Sequence, residues 1–365
     1  MPDFNEKLCL AWLSCSDSLT YKGRQRLKAE YGTAQAVFDH FSDRMLSLVG
    51  EKAYRELTDL KGKGLEKLES ALLQNEILLA ARGDEAYPEP LAQIEDAPDL
   101  LFYRGILRKD ERRAIAIVGS RRETRYGREQ ANKIARDLAT AGVTIISGLA
   151  HGIDTAAHRG ALDAGGKTIA VLGSGIKRIY PAENIDLAEQ IIRENGAVIS
   201  EFAPKAEPLA FRFPFRNRLV SGLSQGVLLI EAREKSGTLI TIGHALTQGR
   251  EVFALPGQVD APGSAAPNRM LREGARLVTC ARDILEDMGW ENRAIAVQPS
   301  FVAPDLTNSQ RRLYDALCNE PRNFADLSET LGLSVSELHV LITQLELEGL
   351  IETLPGRNFR RIPQL

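Results

Sequence analysis

Between about residues 114 and 280, short apolar runs alternate with amphipathic stretches. Runs of strand length fall at 115–118, 143–147, 168–172, 197–200, 227–230, 252–255 and 276–278. Between the first two, the stretch 127–141 sets Ala131, Ile134, Ala135 and Leu138 at helical spacing. Strands that are apolar on both faces and joined by helices must be covered on both sides, which predicts an α/β, doubly wound parallel sheet. Upstream, residues 1–75 hold helical patterns at 8–13, 24–31 and 34–38, broken by Gly23, Gly32, Gly50, Gly62 and Gly64, and predict a small all-helical domain. The proline-containing stretches 87–90 and 97–103 lead into the main domain, set at 76–290. Downstream, 291–306 reads as a proline-punctuated linker. Residues 307–365 follow with helices at 309–318, 324–331 and 335–348 and a hairpin turning at Pro355-Gly356-Arg357-Asn358, the pattern of a winged helix.

Composition narrows the function classes. The chain has 365 residues, 44% hydrophobic and 26% charged, a soluble multidomain profile. Its net charge of −3 disfavours a binder that is basic throughout, so affinity for a polyanion has to come from a local patch. One candidate is 112–128, where six arginines (112, 113, 121, 122, 125, 128) face one acid, Glu123. Cys9, Cys15, Cys280 and Cys318 show no CxxC spacing and read as reduced cytosolic thiols. The apolar stretch 8–13 is too short for a signal-peptide core or a membrane span, so the expected location is cytoplasmic, away from membranes.

Candidate chemistry concentrates at strand ends. In a parallel sheet the turns after strands converge on one edge, so residues distant in sequence can line one anion-binding crevice. The turns here are Gly119-Ser120-Arg121-Arg122, Gly148-Leu149-Ala150-His151-Gly152, Gly173-Ser174-Gly175, Ser200-Glu201 and Ser236-Gly237-Thr238. Glycine exposes backbone amides, while serine and arginine donate to phosphate. The segment Phe211-Arg212-Phe213-Pro214-Phe215-Arg216-Asn217-Arg218 interleaves rings with cations, the pairing that single-stranded nucleic acid favours for stacking bases and tracking phosphates.

Other patterns fail on closer reading. Gly173-Ser174-Gly175 starts like a dinucleotide fingerprint, but Arg178 stands at the third glycine. Gly166-Lys167-Thr168 ends like a P-loop, yet position 161 is alanine and the segment runs from helix into strand. His151 and His158 read as a turn histidine and a helix histidine rather than a metal pair. No catalytic set or metal cluster emerges at short spacing, so catalytic residues, metal and cofactor are all expected to be none. The last predicted helix turns Leu338, Leu341, Ile342 and Leu345 inward and carries no basic residue, which favours protein contact or weak backbone contact over major-groove reading.

Taken in order, Ile117-Val118-Gly119-Ser120-Arg121, the stretch Ser147 through His158, Phe213-Pro214-Phe215-Arg216-Asn217-Arg218, Ser236-Gly237-Thr238-Leu239-Ile240-Thr241 and Gly249 through Gly257 closely resemble the bacterial DNA processing protein A (DprA/Smf) family over about residues 85 to 285. The helical start, of the SAM or helix-hairpin-helix kind, and the winged-helix tail also match architectures seen in that family. The resemblance implies an extended Rossmann-like fold and a non-enzymatic homodimer that binds single-stranded DNA without sequence preference. It further implies protection of incoming DNA in natural transformation and loading of the RecA recombinase. Carried over by position, Gly119, Ser120 and Arg121 would hold phosphate with Arg216, Asn217 and Arg218 beside them, Arg122, Gly148, Lys205, Arg212 and Phe213 are further DNA-binding candidates, and Leu271 and Leu277 would lie in the dimer contact. His151 stands where the family often has arginine and Ala210 where lysine is common, which weakens the expected backbone attraction. The alternative of another class is a nucleotide-processing hydrolase resembling the phosphoribohydrolases, whose motif ends in a participating glutamate. Here Ser236-Gly237-Thr238 is followed by Leu239-Ile240-Thr241, with no acid in that place.

Overall fold

Six helices open the chain: α1 (Phe4–Ser14), α2 (Tyr21–Tyr31), α3 (Ala34–Asp39), α4 (Leu46–Val49), α5 (Glu51–Gly62) and α6 (Leu65–Leu73). They close around Trp12, Leu27, Val37, Met45 and Leu57, and the Trp12 indole donates to the Leu57 carbonyl at 3.2 Å. Side-chain caps start α1, α2 and α3 at Asp3, Thr20 and Thr33. The computed structural model describes residues 2–290, 306–317, 321–347 and 350–361. All of the linker expected at 291–306 except Leu306 lies outside the described residues, as do Cys318, Glu348 and Ile362 at predicted element ends.

The central sheet has nine strands: β1 (Leu78–Ala81), β2 (Leu100–Gly105), β3 (Ala114–Val118), β4 (Thr144–Ser147), β5 (Thr168–Val171), β6 (Ala197–Ser200), β7 (Gly226–Leu229), β8 (Glu251–Ala254) and β9 (Arg276–Leu277). Their order is β1-β2-β6-β5-β4-β3-β7-β8-β9. The seven strands from β3 onward run parallel, as the apolar runs predict. The first two are antiparallel additions at the β6 edge. The sequence reading took 97–103 as a lead-in because prolines surround it; in the structure Leu100, Leu101 and Phe102 are buried in the sheet.

Connecting helices are α7 (Glu89–Ala92), α8 (Arg125–Thr140), α9 (Ile153–Asp163), α10 (Ile185–Arg193), α11 (Arg212–Gly222), α12 (Thr238–Thr247), α13 (Ala265–Arg272) and α14 (Ala281–Asp287). On one face α8, α9 and α14 bury Ala131, Ile134, Leu138, Ala157 and Ile284 against Ile115 and Ile117. On the other, α11, α12 and α13 bury Leu219, Ile242 and Met270 against Ala116, Val118 and Val227. Consecutive residues of β3 therefore face opposite cores, as the pleat requires. Leu8 and Ala11 of α1 and Leu72 of α6 join Phe102, Ala170 and Val198 in a third cluster, so the opening helices are packed onto the sheet. Residues 1–291 form one compact unit and 292–365 a second.

The second unit contains α15 (Asn308–Ala316), α16 (Phe324–Leu331) and α17 (Val335–Leu347), with β10 (Arg322–Asn323), β11 (Ile351–Leu354) and β12 (Asn358–Arg361) in a small antiparallel sheet. Leu338, Ile342 and Leu345 of α17 are buried while Val340 is 56% exposed, the predicted facing. Two arginines of the wing are engaged internally: Arg360 pairs with Glu352, and Arg361 donates to the Tyr314 carbonyl at 2.6 Å and pairs with Asp315.

Helices α8 and α9 cross closely because Gly160 has no side chain; a Cβ there would overlap the Asn132 carbonyl of α8. Gly160→Ala is expected to lower stability by about 1–3 kcal/mol through overpacking, read as a lower urea midpoint at unchanged m-value.

Candidate functional site

The order of the parallel strands makes β3 the point where winding reverses: the chain runs outward through β4, β5 and β6, then returns to β7 on the other side. At such a switch point the connections leave in opposite directions and a crevice opens beyond the strand ends. In-register pairing of Val118 with Leu229 brings the ends of β3 and β7 level. A cleft of about 480 Å³ lies there, lined by the turns after β3, β4 and β7 and by α11.

The turn after β3 is clamped between two helix starts. The Ser120 carbonyl accepts from the Ile153 amide of α9 at 3.2 Å, and the Gly119 carbonyl accepts from the Thr238 hydroxyl of α12 at 3.1 Å. Its outer end is tied by Glu231, buried just past β7, which accepts from the Thr124 amide at 2.9 Å and from the Thr124 hydroxyl at the start of α8. The Ser120 hydroxyl accepts from the Arg122 amide at 3.0 Å. These bonds leave Arg121 and Arg122 exposed at the rim. The positive ends of α8, α9 and α12 all start at this edge, adding to the attraction for anions.

Helix α11 forms the opposite wall. Phe213, Arg216, Asn217 and Val220 line the cleft, the i, i+3, i+4, i+7 spacing of one helical face. The Arg121 guanidinium lies 5.5 Å from the centre of the Phe213 ring, and the ring centre of the half-exposed Tyr180 lies 5.6 Å from it. Arg216 is buried in the floor. It donates to the Gly148 carbonyl at 2.8 Å and to the Val171 carbonyl, joining the ends of β4 and β5. Gly148 has to be glycine, since a Cβ would lie 2.6 Å from this guanidinium and 2.7 Å from the Asp154 carboxylate.

Burial pulls the Arg216 pKa down to about 10, reinforced by the charge of Arg121 and opposed by Asp154. The same burial raises the Asp154 carboxyl against the pull of Arg216; its Oδ2 accepts from the Gly148 amide at 3.1 Å. Of the charged residues lining the cleft, Arg121, Arg122, Arg216, Arg233 and Lys235 are basic and Asp154 is acidic.

The structure sorts the site residues read from sequence. Gly119, Ser120, Arg121, Arg122, Gly148, Phe213, Arg216 and Asn217 meet in the cleft. Arg212 and Arg218 turn away from it: Arg212 donates to Asp17 at 2.8 Å, and Arg218 pairs with Asp96 at 3.2 Å and with Glu201. Helix begins at Arg212, and a 3.6-residue period distributes the arginines around the axis. Lys205 is exposed in the loop before α11, outside the cleft lining. The arginine-rich run also divides: Arg112 and Arg113 precede β3, and five strand residues at about 3.3 Å each separate them from Arg121. Leu271 packs against the core beneath α13, whereas Leu277 is 55% exposed on the edge strand β9.

Arg233 and Lys235, on the turn after β7, were missed by the sequence reading. Their signal was two cations just before Ser236-Gly237-Thr238 at a strand end, the rule that had picked out Arg121. His158 is a core residue: its Nδ1 lies 2.7 Å from the Thr168 hydroxyl. His151 is half-exposed, 3.8 Å from Glu183. No helix among the described residues is long and apolar enough to cross a membrane.

Fold and cleft together define a Rossmann-like protein with a cationic groove at the switch point of a mostly parallel sheet. Residues 78–289 match the family model of DNA recombination-mediator protein A, and residues 297–357 match the DprA winged helix domain. The chain belongs to the DNA recombination-mediator protein A family, the DprA/Smf family. Protein Smf of Escherichia coli is 42% identical over 281 residues, covering 76% of this chain and 75% of that protein. DNA processing protein DprA of Streptococcus pneumoniae is 44% identical over 204 residues, covering 56% and 72%. The crystal structure of the Streptococcus pneumoniae protein superposes with a TM-score of 0.63 at 33% identity, over 79% of this chain and 99% of that one. A solved structure of DNA processing protein A from Helicobacter pylori, whose single-stranded DNA binding mode has been described, superposes with a TM-score of 0.52 at 29% identity, over 58% of this chain and 95% of that one.

One consequence of the buried floor is measurable. Burial first, and then the charge of Arg216, depress His158 from its ordinary 6.5 to about 3. The unfolded chain therefore binds a proton between those values that the folded chain does not, and stability falls as pH drops through 6.5 toward 3. His158→Gln is expected to flatten this fall by up to about 1.4 kcal/mol per pH unit, measured by urea unfolding across that interval.

Proposed function

We propose that the cleft binds single-stranded DNA without sequence preference, and that the chain protects incoming DNA and loads the RecA recombinase onto it during natural transformation and recombination. The observation that carries this reading is the convergence of Arg121, Arg122, Arg216, Arg233 and Lys235 from separate elements around one open groove. Cations at these positions attract phosphates irrespective of base, which gives sequence-independent binding. The Phe213 face, flanked by Arg121 and Tyr180, offers a stacking platform for an unpaired base, worth about 1–3 kcal/mol. The described binding mode of the Helicobacter pylori relative supports the same polymer here. Gly119, Ser120 and Asn217 would supply the neutral contacts, Gly148 would hold Asp154 and Arg216 in the floor, and Lys205 would act only on a strand leaving the cleft.

A binding role is favoured over a hydrolytic one by the state of the cleft acid. Asp154 is buried and holds the amides of Gly148 and Ala150, which leaves it poorly placed to activate water or attack a sugar. A homodimer through the exposed Leu277 and the part-buried Leu271 fits the position of β9 as the last strand of the sheet among the described residues, because an unpaired strand edge can accept a partner. In this reading the winged helix, with a non-basic α17 and two internally paired wing arginines, makes a protein or weak backbone contact.

Arg121→Ala is expected to weaken single-stranded DNA binding and to reduce the slope of log affinity against log salt by about 0.7, one phosphate contact. Gel shifts across a salt series, on single- and double-stranded oligonucleotides with and without RecA, measure this; unchanged affinity removes the cleft from the reading, and turnover of a nucleoside monophosphate by purified protein replaces binding with catalysis. Leu277→Arg is expected to halve the mass seen by light scattering, and a mass that stays dimeric moves the contact elsewhere.

A further inference from the structure

The side of α11 that faces away from the cleft carries buried charge used for anchoring. Arg212, the first residue of the helix, is 4% exposed. Its Nη1 donates to the Glu207 carbonyl at 2.8 Å and its Nη2 to Asp17 at 2.8 Å, and its guanidinium lies 5.0 Å from the Phe202 ring centre. Asp17 comes from the opening helices, in the loop after α1, and that loop is braced. Glu56 of α5 accepts from the Ser16 hydroxyl at 2.8 Å, the Ser18 amide at 3.0 Å and the Ser18 hydroxyl at 2.6 Å. Asp17 is thus held between two residues fixed to one carboxylate, with its own carboxylate aimed at Arg212. Two turns along α11, Arg218 pairs with Glu201 and Asp96, and Arg24 of α2 adds a further charge felt by the buried Glu201.

We propose that Asp17 and Arg212 are positioning residues through which the opening helices set the pose of α11, and hence the affinity of the cleft, without touching the ligand. The next residue after Arg212 is Phe213, and one turn further come Arg216 and Asn217; all three line the cleft. A shift of the helix start therefore moves the stacking ring and the Arg121 contact together. An exposed carboxylate against a nearly buried guanidinium is an asymmetric pair: losing its oxygen leaves the Arg212 Nη2 without that acceptor, which draws the helix start toward water. The proposal rests on single-stranded DNA as the ligand of the cleft, and one arm of its test is independent of that.

The sign of the effect separates positioning from simple electrostatics. Deleting an acid makes the protein more positive, and long-range attraction alone would then tighten binding to a polyanion. In the full-length chain, Asp17→Ala is expected instead to weaken binding of an oligothymidylate by roughly 3- to 10-fold, with the salt slope unchanged because no phosphate contact is lost. Asp17→Asn, which keeps an oxygen to accept from Arg212, is expected to restore wild-type affinity. Hydrogen exchange of the α11 amides should accelerate in Asp17→Ala and return to the wild-type rate in Asp17→Asn. Equal or tighter binding by Asp17→Ala, with α11 exchange unaltered, overturns the proposal. Failure of the wild type to bind, or an Arg121→Ala variant that binds normally, overturns the DNA reading, and the exchange measurement then decides the coupling of the opening helices to α11.

Discussion

A parallel sheet that reverses its winding cannot be covered at the carboxyl ends of the two strands where the reversal occurs, because the connections from each leave on opposite faces. In this chain those strands are β3 and β7, and most of the chemistry follows from that gap. Three helix starts, exposed cations from the turns after β3 and β7, and one wall of α11 all border it. A protein with a net charge of −3 thereby acquires a locally cationic groove. Attraction for a polyanion is decided here by geometry rather than by total charge.

The groove keeps its shape because α11 is locked on several sides. Burying a guanidinium carries an effective penalty of several kcal/mol unless it is paired and hydrogen-bonded, and this helix buries three. Arg216 meets the cost with carbonyls at the ends of β4 and β5 and with Asp154 nearby; Arg218 meets it with Glu201 and Asp96; Arg212 meets it with Asp17 and a backbone carbonyl. Arg212 and Arg218 hold the helix from the side away from the groove and Arg216 holds it at the groove floor, which leaves Phe213 and Asn217 lining the groove. Exposed rim residues Arg121, Arg122, Arg233 and Lys235 have no such restraint from burial.

The winged-helix unit presents a different balance. Its third helix buries a regular apolar stripe and shows Val340, Thr343 and Gln344 outward. Reading base edges calls for several strong donors on this surface, and the wing's Arg360 and Arg361 are occupied by Glu352, Asp315 and the Tyr314 carbonyl. Arg360 and Arg361 are only partly accessible in these pairs, and α17 offers few strong donors.

Much of this was legible in one dimension, for a local reason. Apolar runs of strand length and helical spacing such as Ala131, Ile134, Ala135 and Leu138 report burial within a few residues, so seven parallel strands, the winged helix and the Gly119 to Arg122 turn could be read directly. Where a signal depended on partners far along the chain, it failed. Prolines hid β2, whose place is set by pairing with β6 about a hundred residues later. Arg212, Arg216 and Arg218 look alike in sequence, yet only the position of each around the α11 axis, and the acid or carbonyl the fold brings to it, separates an anchor from a groove residue. Periodicity and strand-end chemistry belonged to the chain alone; which charges are neutralised and which remain for a ligand was decided by tertiary packing, because an ion pair depends on distance in space and not on separation along the backbone.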